Sequence, residues 1–410
     1  MIRDTNYPEY EEHKSFRLTN EQRPYFGLNL IEKQWEEVEI KEGTTVFYDG
    51  DVIRKIITWE NYGQYEYKER DTELITRDRE FVLPKTTKGK EKKITPTNLL
   101  SVTPAGCCIY ISLRVSNFES HVYAYSPKNH IHLPITGCEK LKSISDIKEW
   151  LDYYIKTCPE NYFDKVMKMR TMPHRTIKYN VGDIFRFEID RENYGYGLII
   201  GKIRELIKQG LFPKGHPMHS AMMIPLLIRL YVIKTKDSNL SVDEISKNKL
   251  LPVDLMCDSE IIWGCHDIIG HKTLCQDDID FPMQMICLLN EKNIKTLYFG
   301  WGTGLKTTEN VKDLPEVIKE GHFRNDGVAF SLLTYVLKRV LQGQSEYNKH
   351  CDLLHPENTE LKSIIFKMLD LPPNIDMDTF NEECKGMTRN DYVQLINRAP
   401  LRNNKGKRVF

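Results

Sequence analysis

His216, His219, Cys265, His266 and His271 are the side chains whose types come closest to a metal or nucleophile site. Imidazole nitrogens and a thiolate are the donors of a zinc centre. Their spacing is not that of a ligand pattern, because His216-x-x-His219 sits in Pro/Gly-rich loop sequence where no helix or strand would hold both rings on one side. Turn or interface histidines are the preferred reading, and no metal or cofactor is expected. Cys265-His266-Asp267 places a thiol, a base and a carboxylate in a row. Neighbours on a strand point to opposite faces, and catalytic triads are assembled from separated segments, so adjacency argues against a triad. Gly300-Trp301-Gly302-Thr303-Gly304 lacks the Lys-Ser/Thr of a phosphate loop and reads as a turn displaying an exposed Trp. Paired acids at Asp277-Asp278 and Glu36-Glu37 carry no pocket signal, so no catalytic residue is assigned. Two basic clusters, Lys85, Lys88, Lys90, Lys92 and Lys93, and Arg398, Arg402, Lys405, Lys407 and Arg408, lack interleaved aromatics for base stacking. They read as a solvated loop and a frayed tail, and nucleic acid is not the expected partner.

The elements that would position such groups follow from composition and periodicity. A chain of 410 residues exceeds the usual single-domain range, and hydrophobic residues at 40% suffice for ordinary cores. A formal net charge of zero gives no global field toward nucleic acid or a membrane surface. No run of apolar residues is long enough for a membrane span, and the amino terminus lacks the pattern of a secretory signal. Ten scattered cysteines fit neither a disulfide framework nor a zinc spacing and read as reduced thiols in a cytoplasm.

Residues 1–22 form a polar amino-terminal segment, and residues 23–140 a β-rich domain in which Asp49-Gly50, between TTVFY and VIRKIITW, signals a hairpin. Residues 141–173 carry Ile147, Trp150, Leu151 and Tyr154 at helical spacing, with Ser145 as the N-cap candidate, and read as a helical linker. Residues 174–335 form a second, small barrel-like β-rich domain. Met222–Ile233 reads as a buried strand or a strand pair broken at Pro225, Ile261–Trp263, Met283–Leu289 and Thr296–Trp301 as further short strands, and Ser241 with Glu244 as a capping box. Residues 336–410 form a helical region with a basic tail; the helical pattern itself begins at Val328. The fold class is α+β.

The second domain opens with VGDIFRFEIDRENYGYGLIIG, Val181 to Gly201, a strand, a turn and a second strand in which Gly195 and Gly197 alternate with bulky residues. That alternation suits a close backbone approach or a barrel corner. The stretch resembles the opening of the immunity protein 26 family of bacterial polymorphic toxin systems, with its Gly-Asp, aromatic-rich strand and Gly-Tyr-Gly hairpin. The likeness continues through Leu251-Pro252 and Trp263 to Gly300 and Gly321–Val328, covering about residues 176–335. The resemblance implies a non-enzymatic cytoplasmic protein of interbacterial competition that neutralises a cognate toxin by stoichiometric binding. Candidate toxin-binding residues are Tyr194, Tyr196, Trp263, Trp301, Phe323 and Arg324, each of which could instead be core. For a nuclease toxin with a basic cleft, Asp277, Asp278 and Asp280, with Glu188, Asp190 and Glu192, would supply an acidic face. Three alternatives stay open: a small-barrel ribonuclease toxin using Arg186 and Glu188, a metal-dependent hydrolase using the histidines, and a nucleic-acid-binding module using the lysine loop.

Overall fold

The computed structural model describes residues 8–61, 64–114, 119–289, 295–309, 311, 314–319, 322–323, 325, 327–329 and 332–398. The architecture is α+β, and the chain divides into two compact units. The first comprises Met1–Thr176 with Asp190–Glu192 and Trp263–Cys265; the second comprises Ile177–Ile189, Asn193–Ile262 and His266–Phe410.

The first unit is built on antiparallel strands β1 (Glu36–Lys41), β2 (Thr44–Asp49), β3 (Val52–Asn61), β4 (Gln64–Arg77), β5 (Phe81–Val82), β6 (Lys92–Lys93), β7 (Cys108–Arg114) and β8 (His121–Tyr125). They pair in the order β1-β2-β3-β4-β5-β6, with β7 joining β4 and β8 joining β7. Asp49-Gly50 turns β2 into β3, as its sequence requires, with Gly50 at φ +60°. Strand β4, at 14 residues the longest, has the least strand-like sequence, QYEYKERDTELITR. Its alternation is nonetheless strict where it matters, since Tyr65, Tyr67, Glu69 and Asp71 all point inward and are buried.

Helices α1 (Pro8–Ser15), α2 (Pro96–Leu100), α3 (Ile144–Lys156) and α4 (Tyr162–Thr171) complete this unit. The apolar stripe of α3, Ile147, Trp150, Leu151 and Tyr154, packs with Tyr162, Val166 and Met169 of α4 into one core with Tyr65, Tyr67, Ile109 and Ile111. The stretch that reads from sequence as a linker therefore contributes much of this unit's interior. The N-cap of α3 is Ser143, not Ser145: the Ser143 hydroxyl accepts from Asp146 N at 3.1 Å, and Asp146 accepts from Ser143 N at 3.0 Å. Ser145 lies inside the helix, because only Ser143 has a carboxylate three residues on.

Buried charge sits inside this unit. The Lys55 ammonium, fully buried, lies 2.7 Å from Glu69 and 2.5 Å from Asp71. Arg23 donates to Glu69 at 2.8 Å, the Tyr67 hydroxyl donates to Glu69 at 2.6 Å, and Asn29 N donates to Asp71 at 2.8 Å. Two cations thus face two carboxylates with their remaining lone pairs hydrogen-bonded, the condition under which buried ions are tolerated.

The second unit holds β9 (Asp183–Glu188), β10 (Tyr194–Lys202), β11 (Pro225–Leu230), β12 (Asp254–Cys257), β13 (Asp267–His271), β14 (Gln284–Leu289), β15 (Lys295–Trp301) and β16 (Gly304–Glu309). Its helices are α5 (Ile203–Lys208), α6 (Val242–Ser246), α7 (Ser259–Ile262), α8 (Glu316–Lys319), α9 (Thr334–Leu341), α10 (Thr359–Met368), α11 (Met377–Glu383) and α12 (Arg389–Asn397). Five strands form an open antiparallel path, β12-β11-β10-β9-β13, and β14-β15-β16 form a separate sheet. The path is not closed into a barrel by any pairing of β12 with β13 among the described residues.

The glycines of the opening hairpin receive side chains, not backbone. A Cβ on Gly195 would lie 2.5 Å from the Phe187 ring and one on Gly197 2.3 Å from the Phe185 ring. Each glycine faces its cross-strand aromatic in the β9–β10 register, so the rings lie across the bare backbone. Ile365 and Phe366 of α10, Phe380 of α11 and Tyr392 of α12 share one core with Leu198, Ile200 and Phe299. The Tyr392 hydroxyl donates to Ile200 O at 2.8 Å, so the carboxy-terminal helices are part of this core.

Several segments differ from their sequence reading. Ile261–Trp263, read from sequence as a short strand, is not one: Ser259–Ile262 is a helix and Trp263 follows it in a turn. Residues Gly304–Glu309, polar in sequence, pair with β15 as an edge strand. The helical run expected from Val328 begins only at Thr334, because Ala329 is bridged to Met256 in extended conformation. The capping box of α6 forms as expected, with Glu244 N donating to the Ser241 hydroxyl and Ser241 N to the Glu244 carboxylate.

Candidate functional site

The histidines disperse to separate partners. His216 is buried, its Nδ1 accepting from Met218 N at 3.1 Å, and burial pushes its pKa down to about 3. His219 contacts Phe212 O at 3.2 Å, His266 pairs with Glu260 at 3.1 Å, and His271 pairs with Asp183 at 2.9 Å. Among the described residues no three His, Cys, Asp or Glu side chains converge as metal ligands. The Cys265-His266-Asp267 row also separates. Cys265 donates to His130 O, His266 turns to Glu260, and Asp267 binds Arg186 at 2.8 Å. Arg186 donates as well to Ser238 O and lies over the Tyr194 ring, so it is engaged rather than poised in a groove with Glu188.

The Gly-rich turn Gly300–Gly304 is a two-residue hairpin in which Trp301 pairs with Gly304 and Gly302 has φ +67°. Trp301 is buried, not displayed, because α11 closes over the turn and sets Phe380 6.0 Å from its ring. Asn381 of α11 accepts from Thr303 N at 3.0 Å and Gly304 N at 2.8 Å, and donates to Trp301 O at 3.1 Å. The sequence signal for this cover was Asp376, the N-cap of α11, which accepts from Thr379 N.

Of the other aromatic candidates, Tyr196 is fully buried with its hydroxyl donating to Asp237 O, and Phe323 is core. Neither ring can reach a partner in this conformation. Tyr194 is half-buried under Arg186. Trp263, also half-buried, stacks on His130 in the first unit with ring centroids 4.1 Å apart. Arg324 lies outside the described residues, as does the basic tail beyond Arg398.

The acidic candidates serve mostly internal roles. Asp278 binds Lys272 at 2.6 Å and caps Cys275 N at 2.9 Å; Asp280 accepts from Val253 N at 3.0 Å. Burial raises the pKa of Asp280. Asp277 is exposed, whereas Asp190 caps the Glu192 N–H within its own turn. In the lysine loop, Glu91 neutralises part of the charge by pairing with Arg77 at 2.7 Å and Lys85 at 3.4 Å.

Asp352 has a pH-dependent consequence. Burial pushes its carboxyl up to about 6, with repulsion from Asp280 and Glu346 adding to it. A folded pKa above the unfolded value means that the stabilisation belongs to the protonated form. It is present below the ordinary aspartate range and is lost as pH rises through about 6. Asp352→Asn is expected to be near neutral at about pH 4 and stabilising by about 2 kcal/mol at about pH 8. Urea unfolding at both pH values checks this, and an equal difference at the two would defeat it.

One exposed apolar run of the second unit was read from sequence as buried strand. Met222, Met223 and Ile224 are 64%, 51% and 52% exposed, in a loop that ends where Pro225 opens β11. The break read at Pro225 is where the strand begins, and the three residues before it lie off the sheet. Met223 holds φ +62°, a left-handed conformation unfavourable to a residue with a long side chain. Arg204 of α5 pins the loop by donating to Met223 O at 2.9 Å and Ala221 O at 2.7 Å, and Asp258 N donates to Ile224 O at 3.1 Å. Three adjacent apolar side chains are thus held in water by a fixed backbone.

This ridge and the β9–β10 hairpin with its paired Gly–Phe contacts lie in one stretch of sequence that compares with a known family. Residues 180–292 match immunity protein 26. The immunity protein 26 segment therefore begins at the hairpin and ends after β14, so Gly300–Gly304 and Gly321–Val328 fall beyond it. The matched family is one of immunity proteins, whose partner is a toxin. No curated protein and no solved structure matches the chain. Among the described residues no helix is long and apolar enough to cross a membrane.

Proposed function

We propose that this chain is an immunity protein that neutralises a cognate polymorphic toxin by one-to-one binding, with the Met222–Ile224 ridge as the centre of the contact. The observation that carries the reading is the ridge itself: exposed apolar side chains on a pinned, strained loop inside the immunity protein 26 segment. Desolvating such side chains is favourable by about 1.5–3 kcal/mol for each one fully buried, and a loop already fixed by Arg204 loses little entropy on docking. Methionine suits this role because its flexible thioether adapts to a partner surface. Exposed Asp277 would then supply rim charge that steers a basic toxin without dominating affinity. The ten cysteines are free thiols, which agrees with action in the cytoplasm of the producing cell.

The test begins with affinity capture of the tagged chain from its native host in mild salt and mass spectrometry of the captured protein. The toxin so identified is then titrated with wild-type protein and with the combined variant Met222→Ser, Met223→Gly, Ile224→Ser. Glycine suits the positive φ at position 223, so the variant keeps its fold. The expected result is a loss of affinity of roughly 100-fold, as for a hot-spot cluster. Unchanged affinity in a folded variant would remove the ridge from the interface; capture of RNA and ribosomal proteins instead of a toxin would favour a nucleic-acid-binding protein.

A further inference from the structure

The first unit, which lies outside the immunity protein 26 match except for its short 190–192 and 263–265 returns, contains a cavity of about 930 Å³. Two β-bulges shape it. Along β3 the pairing with β2 passes from Tyr48↔Ile53 to Phe47↔Lys55, which makes Arg54 the extra residue. Along β4 the pairing with β3 passes from Ile53↔Leu74 to Lys55↔Asp71, which inserts one extra residue between Asp71 and Leu74. Arg54, Thr72 and Glu73, the residues displaced by these bulges, all line the cavity. Bulges recur beside functional sites because they re-aim side chains that regular pleating would send elsewhere. The wall between them is Asp71, immobilised by Lys55 and by Asn29 N, and Gly106 packs so closely on it that a Cβ there would lie 2.6 Å from the Asp71 Cβ.

The charges on the lining favour one class of ligand. Arg54 is neutralised by Asp49 at 3.1 Å, and Asp71 by Lys55. Arg170 donates to Asn29 Oδ1 at 2.9 Å. Glu32 and Glu73 are exposed and, among the described residues, have no ion-pair or hydrogen-bond partner for their carboxylates, so the lining carries two free acids against the guanidinium of Arg170. The half-buried indole of Trp35 lines the same cavity, and indole is the aromatic face that best attracts a cation.

We propose that this cavity binds an organic cation, an alkylammonium or guanidinium group, between the carboxylates of Glu32 and Glu73 and the Trp35 indole. The site is independent of the ridge on the second unit, so the two readings fail separately. Isothermal titration of the full chain with agmatine tests it, with glutarate as an anionic control and hexanediol as a neutral one. The expected result is saturable agmatine binding that weakens with added salt and is absent for both controls. Glu32→Gln with Glu73→Gln, and separately Trp35→Ala, are each expected to weaken it roughly tenfold, while Glu382→Gln in the second unit leaves it unchanged. Circular dichroism confirms that each variant is folded. A short Lys/Arg peptide binding more tightly than agmatine would assign the cation to a polypeptide, and the reverse would assign it to a free amine. Absence of saturable agmatine and peptide binding, or equal affinity in the folded Gln/Gln variant, overturns the proposal.

Discussion

Lys55→Met is expected to lower the unfolding free energy by about 3–5 kcal/mol, because it leaves two buried carboxylates without their shared cation. Lys55 is completely buried between Glu69 and Asp71, so its ammonium is their shared counter-charge. Arg23 would still compensate Glu69, which makes Asp71 the more exposed to the loss. The two acids respond to pH with opposite sign. Burial raises the pKa of Glu69, but Lys55 and Arg23 outweigh it, and the carboxyl ends below its ordinary value. Its contribution is present above the unfolded carboxylate range and is lost as pH falls through the lowered value. Asp71 ends above its ordinary value, with burial the largest cause, so its charged form opposes folding as pH rises through that value. Removing Lys55 raises both, and the deficit of the variant should therefore shrink as pH falls through the carboxylate range. Urea unfolding across pH measures it, with Lys55→Met, Asp71→Asn recovering most of the loss, because Glu69 keeps Arg23 as its counter-ion. A deficit that is constant with pH would show that the lost lysine packing, not the unpaired charge, is responsible.

Asn381→Ala is expected to cost about 3 kcal/mol. The side chain is 1% exposed and bonds Thr303 N, Gly304 N and Trp301 O at once, so alanine removes three hydrogen bonds from buried groups. The Gly-rich turn would loosen from α11, and Trp301 would gain water. Chemical unfolding with tryptophan emission reads both effects, the second as a red shift of the native spectrum. A loss below about 1 kcal/mol without a shift would mean that water or a neighbouring group takes over the three hydrogen bonds.

These two sites divide differently between what is legible in the chain and what is not. The Asp49-Gly50 hairpin, the β9–β10 hairpin and the Ser241 capping box are local: each depends on residues within a few positions of one another, and each formed as its chemistry requires. Strand β4 was illegible for the opposite reason. Its inward positions are Tyr, Tyr, Glu and Asp, which alternate properly but bear charge, and the partners that make this burial tolerable, Arg23 and Lys55, come from an amino-terminal turn and a neighbouring strand.

The candidate contact residues show the same limit. Alternation placed Tyr194 and Tyr196 on one face but could not say that Asp237 O would receive the Tyr196 hydroxyl from a loop some forty residues on. Trp301 sits in a turn that nothing local covers; α11, more than seventy residues downstream, buries it. Conversely, Met222–Ile224 has the composition of a core strand, yet Pro225 starts the sheet and Arg204 fixes the three side chains outside it.

By itself the sequence determined the α+β class, the local turns and the hairpin that aligns with immunity protein 26, because those depend on backbone chemistry and on short-range spacing. Only the tertiary structure decided which apolar groups meet water, which charges are paired and where the first unit keeps its cavity. Burial is a property of contacts between segments distant in sequence, and no local pattern carries it.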